Sequence, residues 1–423
     1  TAFRGFGGPQ GMFVIESAIA HVADELGIHP SEIQKRNLIR NGNEFPYGQI
    51  AVSEANECWE KAEKIFDFEK AKKEVEKFNS ENHLYKKGIA MMPIAFGISF
   101  TKTLMNQARS LVHVYTDGSV NISTGAVEMG QGVNTKILQV AAQVFSINPD
   151  SIRVNSTNTF RIANTSPSAA SATADLNGRA TQIACEAILN RLKDVAAIEL
   201  NVAAEKISLK DQCVLIDGIK SAVDWKQLVM AAFLRRVSLS EHGHYATPEI
   251  HFDPKKEKGH PFAYHVYGSA IVTATIDCLR GTYEFDSVNV VHDFGSSMNV
   301  IIDRGQVEGG IVQGIGWMTM EEVIFDKEGR LRSNALSTYK VPDVYSVPKE
   351  INIDFLQTSK DNLAIFRSKA VGEPPLMYGI GAFFALREAI KSFNPEVKTA
   401  FDSPMTPEKV LMALHSRKLK MNN

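Results

Sequence analysis

The sharpest chemical feature of the sequence is a glutamate, Glu373, that lies between Gly372 and the two consecutive prolines Pro374 and Pro375. Proline fixes its own φ and has no N–H to donate, so the backbone that follows Glu373 is stiff. A carboxylate held rigidly after an apolar stretch suits a general base. A glutamate in an ordinary surface turn would give the same pattern, and the pattern alone does not choose between the two.

Three glycine-rich stretches, each predicted to precede a helix, could bind a phosphorylated cofactor: residues 5–8 (GFGG), 128–132 (EMGQG) and 309–310 (GG). Glycine allows positive φ and close approach to the backbone, and a helix N-terminus presents N–H groups to anions. A plain tight turn is the alternative for each stretch, and none has the spacing of a dinucleotide site. The small residues of segment 166–174 would admit either a packed helix or a cofactor.

The sequence predicts both helices and strands around these residues. Apolar periodicity and turn residues predict helices over 12–26, 30–38, 53–78, 133–144, 180–192, 303–320 and 381–392. They predict strands over 89–100, 110–123 with a hairpin turn at 117–118, 152–155, 264–291 with a turn at 280–281, and 351–356. Residues 193–260 are more polar and predict helices joined by loops. The predicted fold class is α+β, with sheets and helices segregated.

Length and composition limit the possible functions. A chain of 423 residues favours two or more subdomains, which we place at 1–192 and 193–423. With 46 basic and 48 acidic residues, the net charge of −2 gives no basic field for nucleic acid or an anionic membrane. No apolar run reaches the ~18 residues of a transmembrane helix. Four scattered cysteines without a CxxC pair predict free thiols in a reducing cytoplasm. The opening inside a glycine-rich turn predicts a piece of a longer chain.

Seven segments, in order, resemble the xanthine dehydrogenase and aldehyde oxidase family of molybdenum hydroxylases, over nearly the whole chain. They are residues 1–10 (TAFRGFGGPQ), 96–101 (FGISFT), 113–118 (HVYTDG), 128–132 (EMGQG), 166–167 (SP), 305–309 (GQVEG) and 368–375 (SKAVGEPP). Block 96–101 is more similar to the xanthine dehydrogenase branch. The chain is identified as the C-terminal part of that family's molybdopterin-binding domain.

The resemblance implies a role for each residue that matches a family motif. Glu373 matches the catalytic base, and Phe6 and Phe100 match the two aromatics that sandwich a purine, one face-on and one edge-on. Thr101 matches a residue that hydrogen-bonds the substrate. For the cofactor, the resemblance places Arg4 and Ala170 near molybdenum. It also implies that Gln131 and Gln306 hydrogen-bond the pterin. The family's metal has no protein side chain as a ligand.

The implied activity is the oxidation of purines such as hypoxanthine and xanthine, with water as the oxygen source and molybdopterin as the cofactor. FAD and [2Fe-2S] clusters are expected on other domains or partner subunits. The N-terminal half of the molybdenum domain, with its purine-orienting residues, is also expected elsewhere. The complete enzyme is expected to be a dimer, and this chain alone to be inactive. Two alternatives stay open: an aldehyde or N-heterocycle hydroxylase, and a non-catalytic pterin-binding scaffold.

Overall fold

The computed structural model describes residues 3–155, 157–358 and 362–416, so Thr1 and Ala2 of the first motif lie outside the described residues. The helices are α1 (Gly8–Leu26), α2 (Pro30–Arg36), α3 (Ala55–Phe66), α4 (Phe68–Glu81), α5 (Val133–Phe145), α6 (Thr173–Leu200), α7 (Trp225–Leu234), α8 (Val300–Thr319), α9 (Ile380–Phe393) and α10 (Pro407–Leu414). The strands are β1 (Tyr85–Ile98), β2 (Gln107–Val114), β3 (Val120–Thr124), β4 (Ile152–Asn155), β5 (Ile207–Lys210), β6 (Cys213–Ile216), β7 (Ile219–Asp224), β8 (Ser240–Ala246), β9 (His251–Asp253), β10 (Lys258–His260), β11 (Tyr264–Asp277), β12 (Tyr283–Asp293) and β13 (Glu350–Leu356).

The first large sheet has the strand order β1-β11-β12-β13. Strands β1, β11 and β12 pair antiparallel, whereas β13 joins β12 in parallel. Helix α9 packs on β1 and β11, and its apolar residues meet the sheet and α8 in one core. The long strands β1 and β11 are buried along most of their length, as the apolar pattern of the sequence requires.

The second large sheet has the order β4-β3-β2-β8 and is covered by α5 and α6. Its core is separate from the first and includes Val112, Ile122, Ile137 and Ile188. A three-stranded sheet β5-β6-β7 and helix α7 extend this core. The α+β class is confirmed, since each sheet carries its helices on a face and only two strand pairs are parallel among the described residues.

Two segments differ from the sequence-based expectations. The predicted helix over 53–78 is two helices, broken at Asp67, whose φ is 45° and whose side chain accepts from the N–H of Lys70. The polar stretch 193–260 holds the strands β5 to β10 in addition to α7, so the expectation of helices joined by loops is wrong. These strands span only 3 to 7 residues, which is too short for alternation to stand out in a charged segment.

Helix α6 is longer than predicted, at 28 residues. The predicted boundary between residues 192 and 193 lies inside this helix, and the division into subdomains stays a prediction. In the described ranges, no helix combines the length and the apolar character that crossing a bilayer would need. All four cysteines are free thiols, and Cys58, Cys185 and Cys278 are buried.

Candidate active site

Glu373 precedes a 3-10 turn, Pro374–Gly379, whose residues are all buried. This turn lies directly on α8, and two helix glycines allow the contact. A Cβ at Gly310 would lie 2.7 Å from Cβ of Pro375, and a Cβ at Gly314 would lie 2.1 Å from the carbonyl oxygen of Leu376. The glycine spacing on α8 therefore lets the proline turn contact the helix backbone. This contact holds the backbone that follows Glu373 in place.

The carboxylate of Glu373 is half-buried and accepts hydrogen bonds from two distant segments. Oε1 accepts from the N–H of Gly5 at 3.3 Å, and Oε2 accepts from the hydroxyl of Ser171 at 2.9 Å. The N–H of Glu373 donates to the same Ser171 hydroxyl oxygen at 2.8 Å. Burial raises the pKa of Glu373, while these hydrogen bonds and the charge of Arg4 act in the opposite direction. The carboxyl is therefore a stronger base than an exposed glutamate.

Arg4 braces the turn before Glu373 against α8. Its Nε donates to the carbonyl oxygen of Gly372, its Nη1 to Oε1 of Gln313 at 3.1 Å, and its Nη2 to the carbonyl oxygen of Gln306 at 3.2 Å. Burial lowers the pKa of the Arg4 guanidinium, and the charge of Glu373 opposes this. A guanidinium stays protonated regardless, so Arg4 contributes a fixed positive charge beside the carboxylate.

Ala170 and Ser171 both have left-handed backbone conformations, with φ of 54° and 53°. Two successive non-glycine residues in this region are uncommon, and the strain persists only where the surroundings impose it. Here the close neighbour is the turn that carries Glu373: a Cβ at Gly372 would lie 2.9 Å from Oγ of Ser171. The segment that the resemblance places beside molybdenum is thus packed directly against the residue before Glu373.

A buried ion cluster anchors the chain just before the turn. Nζ of Lys369 donates to the carboxylate of Asp293, to Oε2 of Glu54 at 3.2 Å and to the carbonyl oxygen of His265 at 3.0 Å. Lys369 is 5% exposed, Glu54 1% and Asp293 0%. Burial raises the pKa of Asp293 to about 6, with Lys369 acting against it. The residues that lead into Glu373 are therefore tied to β12 and to the start of α3.

The predicted substrate residues lie on two chain segments that reach this region. Phe6 follows Gly5, has a φ of 43° and leaves 71% of its surface exposed. Phe100 is half-buried, Thr101 is exposed, and both follow the end of β1. Asn106 closes their loop, because it accepts from the N–H of Phe100 and donates to its carbonyl oxygen, both at 2.8 Å. No ring contact joins Phe6 to Phe100 among the described aromatic pairs.

One small apolar cluster connects the end of β1 to the segment that leads into Glu373. Ile98, Ala172 and Ala370 are buried in the same cluster. Ile98 is two residues before Phe100, Ala172 follows Ser171, and Ala370 is three residues before Glu373. The structure therefore brings the predicted substrate block, the small-residue segment and Glu373 to one region.

Of the two glutamines predicted to bind the pterin, Gln131 lies in the turn just before α5, and Gln306 lies in the first half of α8. The side chain of Gln131 accepts from the N–H of Met129 at 2.6 Å and donates to the carbonyl oxygen of Val127 at 2.8 Å, within its own loop. Gln306 is half-buried, and its carbonyl oxygen accepts from Arg4.

A buried ion pair joins α5, which follows the turn of Gln131, to α8, which contains Gln306. Nζ of Lys136 in α5 lies 2.6 Å from Oδ1 of Asp303 in α8, and both side chains are almost fully buried. The hydroxyl of Ser297 donates to the other oxygen of Asp303 at 2.6 Å. The pair therefore holds α5 and α8 next to each other, near the turn of Gln131 and near Gln306 in α8.

The glycine cluster before α5 surrounds a carboxylate of this chain. The N–H groups of Gly130, Gly132 and Asn134 donate to the carboxylate of Glu128 at 3.0, 2.9 and 3.0 Å. Burial acts to raise the pKa of Glu128, but the backbone N–H groups outweigh it and the pKa is lowered. The sequence predicted that these N–H groups could bind a phosphate. In the structure they are instead hydrogen-bonded to the side chain of Glu128.

A groove of about 760 Å³ runs along α8. Its lining includes Gly305, Glu308, Gly309 and Gln313 from α8. A Cβ at Gly305 or Gly309 would meet nothing within 4 Å, so neither glycine is explained by crowding. Glycine inside a helix costs roughly 0.5–1 kcal/mol relative to alanine. Gly305 and Gly309 leave the backbone of α8 uncovered next to Gln306 and to Gln313, which contacts Arg4. A flat fused-ring cofactor such as a pterin could lie against this backbone.

Sequence reasoning assigned no role to Ser171 or Gln313, which contact Glu373 and Arg4. Ser171 lies in the small-residue segment, but nothing in that segment distinguishes it from Ser166 or Ser168. Gln313 follows Gln306 by seven residues, two helical turns, and a helical reading would place both on one face. The seven-residue spacing could therefore have indicated that Gln313 lies on the same side of α8 as Gln306.

Family models identify the class of protein. A model described as "Molybdopterin cofactor-binding domain" matches residues 61–348, and a second model of the same description matches residues 1–38. The chain belongs to the molybdopterin cofactor-binding domain family, and the family resemblance is confirmed.

Individual relatives narrow the comparison. The chain is 41% identical over 418 residues to "Xanthine dehydrogenase/oxidase" of Felis catus, which covers 97% of this chain and 30% of the relative. It is 39% identical over 425 residues to "Xanthine dehydrogenase 1" of Arabidopsis thaliana, covering 98% and 30%. It is 38% identical over 428 residues to "Aldehyde oxidase 2" of Macaca fascicularis, covering 100% and 30%. The chain thus spans about 30% of the length of the curated relatives that it matches.

Solved structures share the fold. Quinoline 2-oxidoreductase from Pseudomonas putida 86 matches with a TM-score of 0.85 and 23% identity, over 98% of this chain and 53% of that chain. Aldehyde oxidoreductase from Desulfovibrio gigas matches with a TM-score of 0.79 and 24% identity, over 98% and 42%. At this level of identity the comparison concerns the fold alone.

Proposed function

We propose that this chain is the C-terminal part of the molybdenum domain of a xanthine dehydrogenase-like hydroxylase that oxidises purines, hypoxanthine and xanthine, with water as the oxygen source. One observation carries the proposal. The carboxylate of Glu373, on a rigid proline turn, is hydrogen-bonded both to Gly5, beside Phe6, and to Ser171, beside Ala170. The similarity to xanthine dehydrogenases over 97% of the chain supports it.

Glu373 is the general base of the proposed reaction. The molybdenum–pterin cofactor, when bound, supplies the two-electron oxidation of the substrate carbon. Glu373 accepts a proton at Oε1, because the hydrogen bond from Gly5 to this oxygen, at 3.3 Å, is the longer of the two and less is lost when it weakens. The charge of Arg4 keeps the carboxylate available for this step, and Ser171 holds its other oxygen.

The remaining site residues bind the substrate and the cofactor. Phe6 and Phe100 clamp the flat purine between them, and Thr101 hydrogen-bonds its polar edge. On the cofactor side, Arg4 and Ala170 lie nearest to molybdenum, while Gln131 and Gln306 hydrogen-bond the pterin. Gln131 must exchange its two bonds within its own loop for bonds to the pterin. None of these side chains is a metal ligand in the proposal.

The rest of the enzyme is proposed from the length of the relatives. The N-terminal half of the molybdenum domain, the [2Fe-2S] clusters and the FAD are supplied by other domains or subunits, and the complete enzyme is a dimer. The chain alone is inactive, since part of the cofactor and substrate site lies elsewhere. Four free thiols among the described residues are compatible with a cytoplasmic location.

A hydroxylase of aldehydes or N-heterocycles is the second candidate, because the identity to an aldehyde oxidase, 38%, is close to that for xanthine dehydrogenases. The test is to purify the natively expressed full-length protein, measure molybdenum per chain, and compare turnover of xanthine, benzaldehyde and quinoline. Preference for xanthine supports the proposal, and preference for either other substrate supports the second candidate. A protein without stoichiometric molybdenum or turnover would be a scaffold.

A further inference from the structure

The hydroxyl of Ser171 contacts Glu373 twice. It donates to Oε2 at 2.9 Å and accepts from the N–H of Glu373 at 2.8 Å, across 202 residues of chain. A serine hydroxyl has one proton to donate and lone pairs to accept with, so both bonds can form together. One oxygen atom thus holds the backbone and the carboxylate of the same glutamate, which restricts rotation of the side chain between them.

The position of this hydroxyl depends on an unusual backbone. Ser171 and Ala170 have φ of 53° and 54°, and the hydroxyl oxygen lies against the space that a side chain at Gly372 would need. Glycine would adopt the left-handed conformation without strain, but it has no hydroxyl. Alanine would be strained there and also lacks the hydroxyl. A serine in this strained conformation is explained by the contact that its hydroxyl makes.

We propose that Ser171 is a positioning residue for Glu373: its hydroxyl turns Oε1 towards the Gly5–Phe6 side of the site and keeps the carboxylate ionised. A hydrogen bond to the charged form favours ionisation, and it opposes the burial that favours the neutral acid. The inference rests on the proposed role of Glu373 as the base. Ser171 acts through Glu373 and need not touch the substrate.

The first test measures kcat/KM against pH for the full-length enzyme and its Ser171→Ala and Ser171→Gly variants. Both variants lack the hydroxyl, but glycine relaxes the left-handed backbone whereas alanine does not. In both variants we expect the loss of kcat/KM at acidic pH to begin about one pH unit higher than in the wild type. One pH unit corresponds to the free energy of about one hydrogen bond to a charged group. We also expect kcat to fall more than tenfold at the plateau, roughly the effect of a misaligned base, with KM nearly unchanged. Ser17→Ala is the control, because that hydroxyl donates to the carbonyl oxygen of Phe13 within α1.

The second test does not depend on turnover. In the cofactor-free full-length protein, the Glu373 carboxyl is titrated by infrared difference spectroscopy against Glu373→Gln. A midpoint that rises in both Ser171 variants supports the inference, even if xanthine is not a substrate and the proposed function fails. An unchanged midpoint in both variants overturns it. A shift in Ser171→Ala alone also overturns it, because backbone strain and not the hydroxyl would then be responsible.

Discussion

The N–H of Gly5 donates to Oε1 of Glu373 at 3.3 Å, although 368 residues separate them in the chain. Arg4, the residue before Gly5, bonds the carbonyl oxygen of Gly372, the residue before Glu373. Two short segments that are far apart in the chain therefore lie side by side, joined by hydrogen bonds of backbone and side chain. The carboxylate depends on both segments for its orientation.

Replacing Glu373 with glutamine should abolish most of the activity. Glutamine keeps the shape and can keep a hydrogen bond from Gly5, but it cannot accept a proton near neutral pH. We expect kcat of the full-length enzyme to fall by at least ~10²-fold, the usual scale for a general base. The matched control is Glu328→Gln, which removes an exposed loop carboxylate. A Glu373→Gln enzyme with the kcat of the wild type would remove the assigned role.

The dependence of activity on pH follows from the direction of the Glu373 shift. Burial raises the pKa of Glu373 above that of an ordinary glutamate. A general base works as the carboxylate, so activity is present above the raised pKa and is lost as pH falls through it. The acid limb of kcat/KM should therefore lie at higher pH than the ordinary glutamate value of 4.5. A limb at or below that value would contradict the burial seen here.

Two glycines of α8 should respond to alanine in opposite ways. At Gly314 a Cβ would lie 2.1 Å from the carbonyl oxygen of Leu376 and 3.0 Å from Cα of Gly379, which are backbone atoms that cannot move aside. We expect Gly314→Ala to destabilise the domain by roughly 1–3 kcal/mol and to lower kcat, because the proline turn is displaced. Gly309→Ala meets nothing within 4 Å and should stabilise the helix by roughly 0.5–1 kcal/mol. Melting temperatures of the cofactor-free full-length protein measure both effects, and equal shifts would refute the packing argument.

The buried ion cluster makes a prediction about stability. Lys369→Met would leave the carboxylates of Glu54 and Asp293 without their shared cation, inside the protein. Removal of one partner from a buried pair costs roughly 3–5 kcal/mol. The control is Lys35→Met, whose ion pair with Glu63 lies at the surface, with the two side chains 52% and 28% exposed; its loss should cost at most about 1 kcal/mol.

Melting temperatures of the two lysine variants decide the matter, and the double variant Lys369→Met with Asp293→Asn provides a further comparison. We expect that double variant to melt above Lys369→Met, because one of the two stranded carboxylates is gone. Similar melting temperatures for Lys369→Met and Lys35→Met would show that the cluster adds little to stability.

The sequence revealed the elements with long regular patterns. Strands β1 and β11 and helices α8 and α9 were predicted because their apolar periodicity extends over many residues. The strands between residues 207 and 260 were missed, since strands of three to seven residues in a polar segment show too little alternation to be recognised.

The candidate site was predictable only in part. Glu373 was found because its two following prolines are a local signal. Ser171 was not, because its importance comes from a contact with a residue 202 positions away, and one serine in a run of small residues looks like the next. The Lys369 cluster was missed for the same reason, since its three members lie in three segments that are far apart in the chain.

The fold of Glu128 onto α5 has an electrostatic consequence for any phosphorylated ligand. The positive end of a helix attracts an anion through its free N–H groups. At the N-terminus of α5 the carboxylate of Glu128 already accepts from the N–H groups of Gly132 and Asn134, and also from that of Gly130 just before the helix. An arriving phosphate would therefore meet a negative charge at this helix end. A phosphate can bind there only if Glu128 swings away or a cation from elsewhere in the complete enzyme offsets its charge.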